Sequence, residues 1–146
     1  VQRMRSHELT GGFEPALRQY ANNICERNDV ALNFKVEGTP IRLSAEAENA
    51  MFRIAQEGLN NILRHSQAQN VRVVLTFGSE RVELCLEDDG VGLPDDLMKS
   101  ELDHSGLDSM KLRAEENGGS FRIGPNIPRG TKLEISLPRR LRSVAK

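Results

Sequence analysis

The chain has 146 residues, 38% of them hydrophobic, and its 20 basic and 21 acidic residues leave a formal charge of −1. That length suits one domain, residues 1–146, around a single core and is too short for two ordinary ones. Balanced charge and only 4% aromatic residues give neither an electrostatic footprint nor a stacking platform for nucleic acid, so no nucleic-acid partner is expected.

In chain order, "EPALRQYANNICER" from Glu14 to Arg27 sets Leu17, Tyr20, Ala21 and Ile24 at helical spacing, with Pro15 suited to a first turn. "ALNFKVEG" alternates Leu32, Phe34 and Val36 on one face, as a half-buried strand does. Ser44 can cap a long helix reaching about His65. "VRVVLTF" and "RVELCLED" then alternate around "GSE" and predict a hairpin. An irregular stretch from Gly90 to Ser105 leads to a third helix, "GLDSMKLRAEEN", stopped by Gly118 and Gly119. "SFRIG" and "TKLEISLP" predict a second hairpin. Three helices and about five strands predict an α/β (α+β) two-layer sandwich, its helices on one face of a mixed, mainly antiparallel sheet. No apolar run approaches the ~20 residues that cross a bilayer, and the amino terminus lacks a signal-peptide pattern. Cys25 and Cys85 lack metal-ligand spacing and read as reduced packing residues. A start at Val1 and a basic "RRLRSVAK" end suggest a piece of a longer protein.

"QEGLNNILRH", Gln56 to His65, is the stretch that an amphipathic helix alone does not explain. At about 100° per residue, Glu57, Asn61 and Arg64 share a narrow stripe, opposite Met51, Phe52, Ile54, Leu59, Ile62 and Leu63. A solvated helix face accounts for such a stripe as well as a site does. Its composition favours a site, because Glu and Asn offer oxygens to a hard cation and Arg offers a phosphate partner. His65, at the stripe's edge, reads as an end-of-helix hydrogen bonder.

A second signal is "CLEDDGVGLPDD". Alternation through Val82, Leu84 and Leu86 puts Asp88 on the inward face, where a lone carboxylate is costly and needs a partner. The competing reading ends the strand one residue early and lets Asp88 start a turn. Placing Gly90 as the glycine of a calcium loop puts Cys85 at the first ligand position, which excludes that motif. Gly90 and Gly92 permit close backbone approach. Ser105 and Gly106 precede a helix whose free amides can receive an anion, and Gly130 and Thr131 open the last strand.

In order and spacing, these four segments resemble the N, G1, G2 and G3 boxes of the GHKL (Bergerat-fold) ATP-binding domains. The likeness is to the catalytic domain of two-component sensor histidine kinases of the subfamily paired with NarL-type response regulators. "QEGLNNILRHSQA" matches that subfamily's "QEALNNAxKHAxA", and "GLDSMKLRAEENGG" its "GLxGMxxRAxxxGG". The resemblance implies that Asn61 binds Mg2+, Glu57 positions or deprotonates during phosphoryl transfer, and Arg64 and His65 lie near the phosphates of ATP. It makes Asp88 the acceptor of the adenine amino group, with Thr131 in support. Gly90, Gly92, Gly106 and Leu107 shape the nucleotide site, and residues 93–105 form a lid. Ser109 departs from the pattern, standing where a second lid glycine is usual.

The resemblance also implies a cytoplasmic domain of a homodimeric protein that can be membrane-anchored. Its partners would be the protein's own phosphoacceptor and dimerisation domain and a NarL-type response regulator. None of His7, His65 and His104 has phosphoacceptor context, so the chain is expected not to phosphorylate itself. An anti-sigma-factor-type serine kinase and a nucleotide-binding module without catalysis are the alternatives.

Overall fold

The computed structural model describes residues 11–92 and 107–139. Helix α1 (Phe13–Arg27) leads to strand β1 (Ala31–Glu37), helix α2 (Ala45–His65) and strands β2 (Asn70–Phe77) and β3 (Arg81–Asp88). Helix α3 (Leu107–Glu116) and strands β4 (Ser120–Pro125) and β5 (Thr131–Pro138) complete the order. The element types match the sequence expectation, with boundaries shifted by a residue or so. The expected lid, 93–105, lies outside the described residues.

Local chemistry explains the helix ends. The Ser44 hydroxyl accepts the Ala47 N–H at 3.1 Å and caps α2. Glu46 and Glu48 sit in the first turn of α2 and Arg64 and His65 in its last, each favoured by the helix dipole. Helix α3 stops where Gly118 takes φ 79° and the Gly119 N–H returns to the Ala114 carbonyl at 2.9 Å.

The sheet runs β1-β2-β3-β5-β4. Only β1 and β2 pair parallel, because α2 crosses over between them; the other neighbours are antiparallel. Strand β5 therefore lies inside the sheet, next to β3, and this brings the end of β3 beside the start of β5. Alternate residues Val71, Val73, Leu75, Val82, Leu84, Leu86, Leu133, Ile135 and Leu137 are buried toward the helices. They meet Leu17, Ile24, Met51, Ile54, Leu59, Ile62 and Met110 in one core. Gly58 seats α2 close to the sheet, since a Cβ there would lie 2.9 Å from Leu133 Cδ1 and 3.0 Å from Leu86 Cδ1. Among the described residues no helix is long and apolar enough to cross a membrane.

A carboxylate is also built into the core beneath the first turn of α2. Glu48 is 0% exposed. Its carboxylate accepts the Leu43 N–H at 2.9 Å and the Arg42 Nε at 3.0 Å, which ties the loop before α2 onto the helix's first turn. Removing the carboxylate leaves the buried Leu43 amide without that acceptor, whereas the half-exposed Arg42 can rehydrate. Glu48→Ala is therefore expected to lower stability by about 1–3 kcal/mol, measured as a fall in the urea midpoint with an unchanged slope.

Candidate nucleotide site

Strand β3 delivers Asp88 to the inward face, in phase with Val82, Leu84 and Leu86 as the alternation requires, and Asp88 is 2% exposed. The carboxylate accepts the Gly90 N–H through Oδ1 at 2.7 Å. The Ser66 hydroxyl sits beside this turn but donates to the Ile62 carbonyl at 2.7 Å. Oδ2 is left buried, with no hydrogen-bond partner among the described residues. Burial pushes the Asp88 carboxyl above its ordinary value, and the Gly90 amide, the neighbouring Ser66 hydroxyl and the Thr131 backbone partly offset this. Such an arrangement lacks one donor.

Two glycines make the arrangement possible. A Cβ on Gly90 would collide with the Ser66 carbonyl, and one on Gly130, at φ +107°, with the Asp88 carbonyl. The turn after Asp88 is thus pressed between the end of α2 and the start of β5. The Val91 N–H bonds the Ser66 carbonyl at 2.6 Å, fixing the carboxyl end of α2 against this turn. Thr131, the first residue of β5, is 1% exposed and adjoins Asp88.

The neighbouring Asp89 does something different. Its Oδ1 accepts the Gln69 and Asn70 N–H groups at 3.0 and 2.9 Å, and its Oδ2 accepts Asn70 Nδ2 at 2.7 Å. The Asn70 contacts, foremost its side chain, hold the Asp89 carboxyl below its ordinary value. Asp89 closes the entry to β2.

On α2, Glu57 and Arg64 are exposed, and Asn61 and the terminal His65 are half-buried. Asn61 precedes Ser66 by five residues, roughly 7.5 Å along the axis. The stripe thus runs away from the Asp88 turn along a single rigid helix. Gly92 takes φ +88°, and Leu107 opens α3, half-buried against the core. Gly106 lies outside the described residues. Asn60, next to the stripe, instead receives the Tyr20 hydroxyl at 3.0 Å and binds α2 to α1. Among the described residues no three His, Cys, Asp or Glu side chains converge as a metal cluster. Asn61 offers a neutral side-chain oxygen, of the kind that can serve as a ligand to a hard cation. A groove of about 430 Å³ on the outer sheet face, between Glu83, Cys85, Arg122 and Glu134, is separate from these residues.

Sequence reasoning gave no role to the side chains of Ser66, Asn126 and Arg129, while Gly130 was expected at the opening of the last strand. Asn126 Nδ2 donates to the Asp88 carbonyl at 3.1 Å, and Arg129 Nε to the Gly90 carbonyl at 3.0 Å. The only hint was the run of turn residues before β5.

Residues 46–141 match the model of the "Histidine kinase-, DNA gyrase B-, and HSP90-like ATPase" family. The sensor histidine kinase LiaS of Bacillus subtilis is 32% identical over 127 residues, covering 87% of this chain and 34% of that protein. The signal transduction histidine-protein kinase/phosphatase UhpB of Salmonella typhimurium is 37% identical over 109 residues, 75% of this chain and 20% of its own length. The ATP binding domain of PrrB from Mycobacterium tuberculosis superposes with a TM-score of 0.67 at 19% identity, covering 88% of this chain and 94% of that one, a likeness of fold. The chain therefore spans about a fifth to a third of these two curated relatives.

Asp88→Asn keeps an acceptor for the Gly90 amide and removes the buried charge. Because the Asp88 pKa is raised in the fold, the parent's contribution from this group is complete below the ordinary 3.8 and is lost as pH rises through the folded value. The variant's melting temperature at pH 7 is therefore expected to equal or exceed the parent's, and the difference should shrink toward pH 4. Its affinity for adenine nucleotide should fall about ten- to a hundredfold. Asp89→Asn should behave in reverse, losing stability near neutral pH and keeping nucleotide affinity. Calorimetric melting and titration of both variants check the four outcomes.

Proposed function

We propose a function from the premise that this chain belongs to the histidine kinase-, DNA gyrase B- and HSP90-like ATPase family: it binds ATP with magnesium and donates the γ-phosphate to a histidine on a separate helical domain. The observation that carries the ATP reading is Asp88 Oδ2, a buried acceptor without a donor at the end of a rigid strand. An adenine amino group supplies the missing N–H. Relatives bearing histidine kinase names support the choice of histidine as acceptor.

In this reading Asp88 fixes the base, with Thr131 beside it, and Gly90, Gly92, Gly106 and Leu107 let backbone and side chain close around the nucleotide. Phosphoryl transfer asks chiefly for positioning and charge neutralisation. Arg64 and His65 lie toward the phosphates at the carboxyl end of α2, and Asn61 would hold Mg2+ through its side-chain oxygen. Bound magnesium neutralises charge on the phosphate oxygens. Glu57, exposed one turn before Asn61, faces solvent where an incoming imidazole could be oriented. The remaining parts of the reading are a phosphoacceptor and dimerisation domain in a homodimeric protein and relay to a NarL-type response regulator.

Three variants separate binding from transfer. Asn61→Ala should weaken nucleotide binding in magnesium and lose the difference that a chelator makes in the parent. Glu57→Gln should keep affinity within a few-fold while slowing transfer to a supplied phosphoacceptor domain, as for an interaction made mainly in the transition state. The chain alone should bind Mg-ATP and incorporate no acid-labile phosphate, and Asp88→Asn should bind Mg-ATP about ten- to a hundredfold more weakly. Calorimetry with a non-hydrolysable analogue that shows no binding would remove the ATP reading. Transfer to serine instead of histidine would favour the anti-sigma-type kinase, and binding without any transfer a nucleotide-binding module without catalysis.

A further inference from the structure

The turn from Asp88 to Gly92 is held from two sides. On the side of α2 and β2, Val91 N–H bonds the Ser66 carbonyl at 2.6 Å and Asp89 N–H the Asn70 carbonyl at 3.3 Å, and the Asp89 carboxylate accepts the Gln69 and Asn70 N–H groups. On the other side the contacts come from side chains of the β4–β5 hairpin, residues 126–130. Asn126 Nδ2 reaches the Asp88 carbonyl at 3.1 Å, and Arg129 Nε reaches the Gly90 carbonyl at 3.0 Å. The same hairpin is closed by the Asn126 N–H on the Gly130 carbonyl at 2.9 Å. Its Gly130 leaves the Asp88 carbonyl no room for a side chain.

These contacts bracket one carboxylate. The Asp88 carbonyl and the Gly90 carbonyl are the backbone oxygens on either side of the segment whose Gly90 N–H holds Asp88 Oδ1. Fixing both carbonyls fixes the direction of that N–H, and with it the rotation of the carboxylate that leaves Oδ2 free. Ile127, between the two bracing residues, is 88% exposed and has no part in this.

We infer that Asn126 and Arg129 are positioning residues that hold the Asp88–Gly90 turn so that Asp88 Oδ2 faces the adenine amino group. They act on affinity for the base without touching the nucleotide. This rests on the ATP reading given above, and it adds two residues from a different hairpin to the base-binding machinery. The Asn126 donor is neutral and half-buried, and Arg129 is exposed, so each is expected to contribute a modest factor.

The test compares adenosine, which has no phosphate, with Mg-ATP, each titrated into the full chain and followed by NMR shifts and calorimetry. Asn126→Asp preserves size but sets an acceptor against the Asp88 carbonyl, and Arg129→Ala removes the second donor. Each should weaken adenosine and Mg-ATP by the same factor, about three- to tenfold. Arg129→Lys, which retains a donor, should recover most of the loss, and Ile127→Ala should bind both ligands as the parent does. Parental adenosine affinity in both Asn126→Asp and Arg129→Ala would overturn the inference. So would weakening of Mg-ATP alone, which would place Arg129 on the phosphates, or an equal loss in Ile127→Ala, which would make the effect a general loosening of the hairpin. If the parent binds neither adenosine nor Mg-ATP, the ATP reading itself falls and the brace with it; if the parent binds both and the variants match it, only the brace falls.

Discussion

The structure turns on a carboxylate oxygen without a donor. Asp88 closes an inward-facing row of apolar side chains, and the low polarity that stabilises Val82, Leu84 and Leu86 there penalises its charge. The penalty is partly met by the Gly90 amide on Oδ1. Nothing described meets it on Oδ2. A fold selected for stability alone would place a valine or leucine at this position, and the proposed recognition of an adenine amino group is what would give the carboxylate a reason to stand there. Its neighbour makes the contrast plain, because Asp89 has donors on both oxygens and ties two strands together.

Everything around Asp88 restricts how it can move. The end of α2 lies against the following turn through Ser66, β5 starts beside it at Thr131, and two glycines remove the side chains that would keep these backbones apart. The topology is what permits this meeting. Because β5 inserts between β3 and β4, the end of β3 faces the start of β5 rather than solvent. The parallel crossover through α2 then returns that helix over the same end of the sheet. A binding group held on strand and helix termini is placed more precisely than one on a free loop.

Periodicity made most of this legible from the chain alone. The alternation of "VRVVLTF", "RVELCLED" and "TKLEISLP" sets which side chains are buried, and the same count puts Asp88 inward. The stripe of Glu57, Asn61 and Arg64 follows from 3.6-residue spacing, and the helix leaves them at its more accessible side. What periodicity does not carry is contact between segments distant in sequence. The insertion of β5, the seat of Gly58 on Leu86 and Leu133, and the reach of Asn126 to a carbonyl 38 residues away depend on tertiary packing. Ser66 is the instructive case. It lies within the run "QEGLNNILRHSQA", yet its place beside Asp88 exists only once α2 and β3 have met.

Under the proposed function, the two halves of the site would differ in the physics that sets them. The base side is desolvated, so a single hydrogen bond there carries much of its low-dielectric strength, and a small rotation of one carboxylate changes whether it is made. The stripe on α2 is more exposed, so its charges are screened, and any strength they have must come from the divalent cation and phosphates drawn to them. In the proposed function, selectivity for the base would therefore belong to the buried turn and phosphate handling to the helix. Separation of this kind lets a nucleotide be gripped firmly at one end while its γ-phosphate stays accessible to a group arriving from outside the domain. That is the geometry required when donor and acceptor of a phosphoryl group sit on different folding units, since the acceptor must approach through the side that the base does not occupy.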